Sequence, residues 1–293
     1  MNKPALVINI KPSRDEAVKP SELIQITGHQ SLSLFSRRSI TILWHNAHRQ
    51  GIAEGKDYTI PLADLRTDGH HGSEMIKETI KTLMTTLLEV RDSEGRVETM
   101  VQFLGGNDLR DKDRAEGSLT YSFDKRLVKV LKDSSIWGKI AIPVLMSFGT
   151  KYAVSFYEHL AQWSNLDYKS TQQFTLEQFR QVMGVEEGKY ATFGGLNKHI
   201  FKKSMDEINA LAPFNVSVTP IKTGKRVTDV MVGWWMKSET ELKEAYAELN
   251  RSKVGRRARI EGKVEHVNPI PRVEEQMRKM RLKSRLPNPS HLE

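Results

Sequence analysis

The amino-acid sequence predicts an α+β fold in which one order of elements, three helices and then a β-hairpin, occurs twice. Residues 192–211 place apolar side chains on one helical face and basic side chains on another. A β-hairpin with the basic tip KTGKR follows at once, and the first half of the chain shows a weaker form of the same order. Because this is the order of a winged helix, we predict two winged-helix domains in tandem, with a basic, partly disordered C-terminal tail.

Composition limits the classes of protein to which the chain can belong. Its 293 residues suffice for about two domains. The net charge of +9 favours a polyanionic partner, either nucleic acid or an anionic membrane surface. No apolar run approaches the ~20 residues that span a bilayer, and no signal peptide opens the sequence, so we expect no membrane partner. The absence of cysteine excludes disulfides and thiolate zinc sites, and it fits a reducing cytoplasm.

The N-terminal part is predicted to be an arm followed by the first domain. Residues 1–20 hold three prolines and little periodicity, which predicts a flexible arm. The first domain is predicted over 21–138. Its expected elements are a helix over Leu34–Arg49, a strand over Tyr58–Ile60, a short helix from Pro61 to Leu65, and a helix from Ser73 to Leu88.

The rest of the first domain is predicted to be mainly strand. Ser73 is placed to cap its helix, whose expected buried stripe is Ile76, Ile80, Leu83 and Leu87. Strands over Leu87–Arg91 and Arg96–Leu104 would form the hairpin, and the charged residues 105–117 are expected to be a loop. A strand over Leu119–Phe123 and a short helix capped by Asp124 complete the domain.

The second domain is predicted over 139–237 and the basic tail over 238–293. Helices are expected from Lys151 to Trp163, from Thr175 to Met183 and from Thr192 to Leu211. In the long helix Leu196, Ile200, Ser204 and Ile208 recur every four residues and should face the core. The tail is expected to open with an amphipathic helix over 238–251 and to continue as a basic, partly disordered segment.

The long helix and the hairpin tip of the second domain form the candidate DNA-binding surface. Asn197 and His199 are the candidates for base-edge contacts, since both offer directional hydrogen bonds. Lysines next to them would hold phosphates, which position a protein without reading sequence. The alternative is an ordinary solvated helix face. The candidate phosphate-binding residues are Lys198, Lys202 and Lys203 on the helix and Lys222, Lys225 and Arg226 on the wing.

A weaker copy of this surface is expected in the first domain. Its candidates are Lys77, Lys81, Arg91 and Arg96. Glu74, Glu78 and Glu89 dilute the positive field there. A helix whose role is packing therefore stays open as the alternative.

The sequence offers no set of residues for catalysis. A nicking enzyme needs a metal held by a His-apolar-His pair and a tyrosine nucleophile, but no His-x-His triplet occurs. The phosphate-binding loop of P-loop ATPases is also absent. Asp111, Asp113 and Glu116 match no calcium-binding pattern and are expected to be solvated. We therefore expect no catalytic residues, no metal and no cofactor.

The second half of the chain resembles the iteron-binding plasmid replication initiators, the Rep proteins with two winged-helix domains. The similar positions are Ile142-Pro143, Lys151-Tyr152-Ala153, Phe156-Tyr157-Glu158, Leu160, Leu176–Arg180, Gly184-Val185, Tyr190, Phe193, Ile200, Glu207-Ile208-Asn209 and Gly224–Val227. The first half resembles the family more loosely, at Leu23-Ile24, the Leu34–Arg49 helix, Tyr58–Ile60, Leu62 and Leu65. Residues after Lys237 have no counterpart.

The resemblance implies a function that the residue patterns alone do not. Such proteins bind direct repeats at an origin, open adjacent AT-rich DNA, and recruit the host initiator and replicative helicase in the bacterial cytoplasm. They often repress their own gene as dimers joined through the first domain, whereas they act at the origin as monomers, and they lack catalytic activity. The family pattern Phe-Lys-Arg-Arg is replaced here by Leu196-Asn197-Lys198-His199, and the usual proline-alanine pair by Ser204-Met205. The target repeat should therefore differ.

Other functions stay open at this stage. A transcriptional repressor of the same fold would occupy one palindromic operator as a stable dimer. A nicking or priming enzyme would show metal-dependent strand cleavage, which the missing metal ligands argue against. A protein attached to anionic membrane through the basic tail is the remaining alternative.

Overall fold

The computed structural model describes residues 12–25, 30–66, 73–91, 97–110, 117–132, 134, 136–164 and 169–263. The chain divides after Leu249 into two compact units. The helices are α1 Ser21–Ile24, α2 Leu34–Arg49, α3 Leu62–Leu65, α4 Ser73–Thr85, α5 Lys125–Lys132, α6 Ile142–Ser147, α7 Lys151–Ala161, α8 Leu176–Met183, α9 Phe193–Leu196, a π-helical turn Asn197–Phe201, α10 Lys202–Leu211, α11 Glu239–Asn250 and α12 Arg256–Ile260. The strands are β1 Glu16–Pro20, β2 Tyr58–Pro61, β3 Leu87–Arg91, β4 Val97–Gln102, β5 Leu104–Arg110, β6 Ser118–Phe123, β7 Trp137–Ala141, β8 Thr171–Thr175, β9 Phe214–Thr223 and β10 Arg226–Met236.

The mixed fold with two winged-helix domains is confirmed, and the two domains share one plan. In the second domain α7, β8 and α8 lead to the long helix, and the antiparallel sheet has the order β8-β10-β9. In the first domain α2, β2, α3 and α4 lead to a sheet of order β2-β6-β5. The wing of the first domain is therefore the hairpin of β5 and β6.

The predicted wing of the first domain was wrong. Among the strands that the structure describes, β3 and β4 pair only with each other, so this hairpin is an insertion between α4 and the three-stranded sheet. The expected loop over 105–117 is instead largely strand β5, which pairs with β6. Its Gly105-Gly106 and its charges suggested a loop. An edge strand tolerates glycines and charged residues, because one of its edges has no hydrogen-bonded neighbouring strand and faces solvent.

The end of α4 also differs from the prediction. The helix stops at Thr85, and Leu87 begins β3, where it pairs with Gln102 and is 51% exposed. Leu87 is thus not part of the buried stripe, which consists of Ile76, Ile80 and Leu83. Threonine is a poor helix former, and the tertiary pairing of the hairpin decides where the helix ends.

Helix α8 of the second domain begins at a capping box formed by Thr175 and Gln178. Thr175 accepts a hydrogen bond from the backbone N–H of Gln178 at 3.2 Å, and the Gln178 side chain accepts from the Thr175 N–H at 3.0 Å. This reciprocal capping box satisfies two N–H groups that the helix itself leaves unpaired. Gly184 ends α8 with a φ of 64°, the left-handed conformation that glycine adopts without strain.

Residues 16–20 do not belong to a flexible arm, contrary to the prediction. They form β1, which is mostly buried and pairs antiparallel with β7 from Glu16–Ala141 to Pro20–Trp137. Trp44 donates its indole N–H to the Val18 carbonyl at 2.8 Å. The arm was predicted from prolines and weak periodicity, but a five-residue strand is too short to show a period. Residues 1–11 lie outside the described part.

A buried polar cluster joins helix α2 of the first domain to helix α7. The Lys19 ammonium lies 2.9 Å from both carboxylate oxygens of Glu158. Thr41 donates to the same carboxylate at 2.5 Å. Arg37 and Arg38 of α2 add hydrogen bonds to the Ser155 hydroxyl and the Phe148 carbonyl. The side chains of Lys19 and Glu158 are only 3% and 9% exposed, so each charge depends on the other for stabilisation.

His159, also on α7, should make stability depend on pH. Burial, with a smaller contribution from the Lys169 charge, lowers its pKa from 6.5 to about 4. Between pH 6.5 and pH 4 the unfolded chain therefore binds a proton at His159 that the folded chain does not bind. The free energy of unfolding should fall as pH drops through this range. The full effect is at most about 3 kcal/mol.

Comparison of the wild type with His159→Gln by urea unfolding at pH 7 and pH 5 tests this expectation. The variant should lose less stability between the two pH values than the wild type does. His45 and His48, whose pKa values burial also lowers, remain in both proteins and supply the same background. An identical pH dependence in the two proteins would contradict the assignment.

The described part of the second unit is short and basic. Helix α12 follows Gly255, whose φ is 75°, and Glu261 forms ion pairs with Arg257 and Lys263 at 2.9 and 2.5 Å. The predicted helix at the start of the tail is present as α11. None of the helices in the described ranges is long and apolar enough to cross a membrane.

Candidate nucleic-acid interface

The candidate recognition helix runs from Phe193 to Leu211 and contains one π-helical turn. Thr192 caps it by accepting a hydrogen bond from the Gly195 N–H at 3.2 Å. The backbone keeps right-handed helical angles at both junctions of the π turn, from Leu196 into Asn197 and from Phe201 into Lys202. The predicted single helix is therefore continuous, but it has one wider turn at Asn197–Phe201.

The π turn follows from the spacing of the core residues. An α-helix turns by about 100° per residue, so residues repeating every four positions drift around it by about 40° at each step. Leu196, Ile200, Ser204 and Ile208 keep this spacing, yet each is no more than 1% exposed. A π turn holds one additional residue and cancels much of the drift. It also buries Phe201, which the predicted stripe did not include.

The same turn directs the candidate base-reading residues outward. Asn197, Lys198 and His199 lie within it and are all exposed, as is Lys202 one turn later. Lys203 is half-buried. The core residues thus fix the inner face, and the predicted polar residues occupy the outer one. Their contact with DNA remains a prediction.

The wing of the second domain is a tight hairpin with an exposed basic tip. Gly224 has a φ of 63° in the turn between Thr223 and Arg226, a conformation that favours glycine. The pairing register shifts between Val227 and Asp229, and such a bulge increases the local twist. Lys222, Lys225 and Arg226 are all exposed, so the predicted wing cations are on the surface.

The loop before the recognition helix is held by Arg180 of α8. Its guanidinium donates to the carbonyls of Glu186, Lys189 and Tyr190 at 3.3, 2.7 and 3.1 Å. Hydrogen bonds from Lys189 and Lys151 lower the pKa of Glu186 to about 2. Tyr190 has a φ of 52° and stacks on His199 with 5.7 Å between ring centroids. No local pattern in the sequence indicates this arrangement, because it joins residues from α8, the loop and the recognition helix.

The Glu207-Ile208-Asn209 segment supports the surface and does not form part of it. Glu207 accepts a hydrogen bond from the Gly149 N–H at 2.8 Å, and Ile208 is fully buried. The Asn209 amide accepts from the Val216 N–H at 2.7 Å and donates to its carbonyl at 3.1 Å. The Asn209 contacts fix the helix against strand β9, and the Glu207 contact fixes it against the turn before α7.

The basic candidates of the first domain that the structure describes lie on two different elements. Lys77 is half-buried and Lys81 is exposed, both on α4. Arg91 lies in β3 of the inserted hairpin and not on the wing, and Arg96 lies outside the described residues. The hairpin that follows α4 in sequence is not the hairpin that completes the sheet, so Arg91 does not lie on a wing. DNA contact by Lys77, Lys81, Arg91 and Arg96 remains a prediction.

The residues that the structure describes include no group of three or more His, Asp or Glu side chains arranged to hold a metal ion. Asp111, Asp113 and Glu116 lie outside them. His45 and His48 lie three residues apart on α2. The ring of His48 packs against those of Trp44 and Trp137 at 5.7 and 6.1 Å.

Comparison with known proteins agrees with this architecture. A family model described as initiator replication protein, WH1, matches residues 16–161. A second, described as initiator Rep protein, WH2, matches residues 175–233. Together they cover more than two thirds of the chain. The comparison with curated proteins gives no match.

A solved structure shares the fold over most of the chain. It is a crystal structure of the Pi initiator protein in complex with iteron DNA, similar to this chain with a TM-score of 0.56 at 15% sequence identity. The similarity covers 79% of this chain and 100% of that one. At this identity it establishes the fold. The two family matches establish the family, and the chain belongs to the initiator Rep proteins, with WH1 and WH2 winged-helix domains in tandem.

Proposed function

We propose that this protein initiates plasmid replication by binding directly repeated duplex sites, the iterons of an origin. The observation that carries the proposal is the exposed polar and basic row on the recognition helix of WH2, followed by an exposed basic wing. A recognition helix fits the major groove, and a basic wing contacts the flanking phosphates. The fold shared with the Pi initiator, which was solved with iteron DNA, supports the same reading.

The proposal includes partners that follow from the family and not from the geometry. The protein would open AT-rich DNA beside the repeats and recruit the host initiator and replicative helicase in the bacterial cytoplasm. It would repress its own gene as a dimer joined through the first domain. It would catalyse no reaction itself, because its role is to bind and deform DNA.

Equilibrium binding to short duplex tiles covering the DNA around the protein's own gene tests the proposal. Each tile would be titrated across a salt series, with a scrambled duplex as the control, because non-specific binding is mainly electrostatic. Stepwise, salt-resistant occupancy of directly repeated tiles supports an iteron initiator. Binding to a single inverted repeat would instead indicate a repressor, and equal binding to every tile would contradict sequence recognition.

The base-reading residues should be identifiable by substitution. We expect Asn197→Ala or His199→Ala to weaken binding to the cognate repeat by roughly 1–3 kcal/mol, because each removes a directional hydrogen bond to a base edge. Binding to scrambled duplex should change little. The measurement is the ratio of the two dissociation constants at one salt concentration. An equal loss on both duplexes would make these residues positioning contacts.

A further inference from the structure

Tyr190 has a backbone conformation that its side chain disfavours. Among the described residues it is the one non-glycine position with a positive φ, at 52°. In this region the Cβ of an L-residue crowds the following carbonyl, so glycine is the residue that fits without strain. A tyrosine is retained at a strained position only where its surroundings hold it there, and such positions cluster at functional sites.

The Tyr190 ring lies against a predicted base-reading side chain. It stacks on the His199 imidazole with 5.7 Å between centroids and 27° between ring planes. Both residues are exposed, and Tyr190 is 36% accessible. An exposed histidine samples several rotamers unless a neighbour restricts it. The stack therefore restricts the imidazole plane before any DNA arrives.

Hydrogen bonds from α8 set the position of Tyr190. Arg180 donates to the Tyr190 carbonyl at 3.1 Å and to the Lys189 carbonyl at 2.7 Å. Lys189 is further tied to Glu186 by an ion pair of 2.7 Å. Because the loop is anchored to a different helix, the ring fixes His199 relative to the body of the domain and not only to its own helix.

We infer that Tyr190 is a positioning residue for sequence recognition, holding the His199 imidazole in the orientation that presents its nitrogens to a base edge. The inference rests on the proposed DNA-binding function. Without the stack, His199 must lose its rotational freedom on binding, so recognition weakens even though no DNA contact is removed. Tyr190 acts through His199, and the two residues should behave as one unit.

Two substitutions test the role of the ring. Tyr190→Gly removes the ring and relieves the strained φ, so the variant should fold with an unchanged or higher melting temperature. Tyr190→Phe keeps the stack and serves as the matched control. In the DNA-free protein, ring-current effects should shift the NMR resonances of the His199 imidazole protons in wild type and Tyr190→Phe alike. In Tyr190→Gly these shifts should be lost.

Binding to the cognate repeat tile and to scrambled duplex gives the second readout. Tyr190→Gly should lower the cognate-to-scrambled preference by about 3- to 10-fold, the scale of one aromatic stack, whereas Tyr190→Phe should keep it. In the His199→Ala background Tyr190→Gly should cause no additional loss, since residues that act together are not additive.

Several outcomes would overturn the inference. They are an equal loss on both duplexes, an additional loss in the His199→Ala background, or a Tyr190→Phe variant that behaves like Tyr190→Gly. If the wild type itself shows no preference for any tile, the proposed function fails. The imidazole resonances then still decide whether Tyr190 orients His199.

Discussion

Replacing Lys19 by Met should lower the free energy of unfolding by about 3–5 kcal/mol, because it leaves the buried Glu158 carboxylate without its counter-charge. The two side chains are 3% and 9% exposed and lie 2.9 Å apart, so water cannot compensate the loss. The remaining Thr41 hydrogen bond, at 2.5 Å, stabilises the carboxylate only in part. Urea unfolding followed by circular dichroism measures the change.

The double variant Lys19→Met/Glu158→Leu separates the pair from the packing around it. Since it removes both charges, we expect it to recover much of the stability that the single variant loses. Lys243→Met is the matched control. Its ion pair with Glu239 has a comparable distance of 2.6 Å, but the two side chains are 75% and 83% exposed, and its loss should change stability by less than about 0.5 kcal/mol. Equal effects of Lys19→Met and Lys243→Met would contradict the expectation that a buried carboxylate costs more stability than an exposed one when its counter-charge is removed.

Removing the cations of the recognition helix and wing should flatten the salt dependence of DNA binding. Each phosphate contact releases about 0.9 counterion, so alanine at five positions should reduce the slope of log K against log salt by about 4.5. Lys198→Ala or Lys202→Ala alone should reduce it by about one. The loss of binding affinity should be the same for cognate and scrambled duplexes, because phosphates carry no sequence information. The five positions are Lys198, Lys202, Lys222, Lys225 and Arg226.

The measurement is a titration of cognate and scrambled duplex at several salt concentrations. Lys129→Ala is the matched control, since it removes one exposed lysine from α5 of the first domain and leaves the WH2 surface intact. The control should keep the wild-type slope. If it flattened the slope as much as Lys198→Ala does, the effect would reflect net charge and not contact, and the assignment of Lys198 would fail.

The second domain was the more predictable half because its signals are local. The Thr175 cap, the four-residue spacing of the helix core and the glycine in the basic hairpin each involve residues close in sequence. The spacing of four already implies a wider turn, since a straight α-helix cannot keep Leu196 and Ile208 on one buried face. The predicted stripe assumed a regular α-helix and therefore did not include this turn.

The first domain was less predictable because its sheet depends on contacts between distant residues. Strand β5 forms because it pairs with β6. Strand β1 forms because it pairs with β7, which lies more than a hundred residues away in the sequence. A short edge strand with glycines and charges has no pattern of its own. The wing was therefore assigned to the neighbouring hairpin, and the basic residues Arg91 and Arg96 with it. The predicted boundary between the domains, at residues 138 and 139, stays a prediction.

By itself, the sequence determined the fold class, the tandem order of the domains, the family resemblance, and the exposed row of Asn197, Lys198 and His199 beside a basic wing. These follow from periodicity, caps and turn chemistry, which act over a few residues. Only the tertiary structure decided which hairpin completes the first sheet, that Lys19 meets Glu158, and that Tyr190 stacks on His199. The reason is physical: strand pairing, buried charge pairs and aromatic stacks gain their free energy from groups that the chain brings together only after it folds.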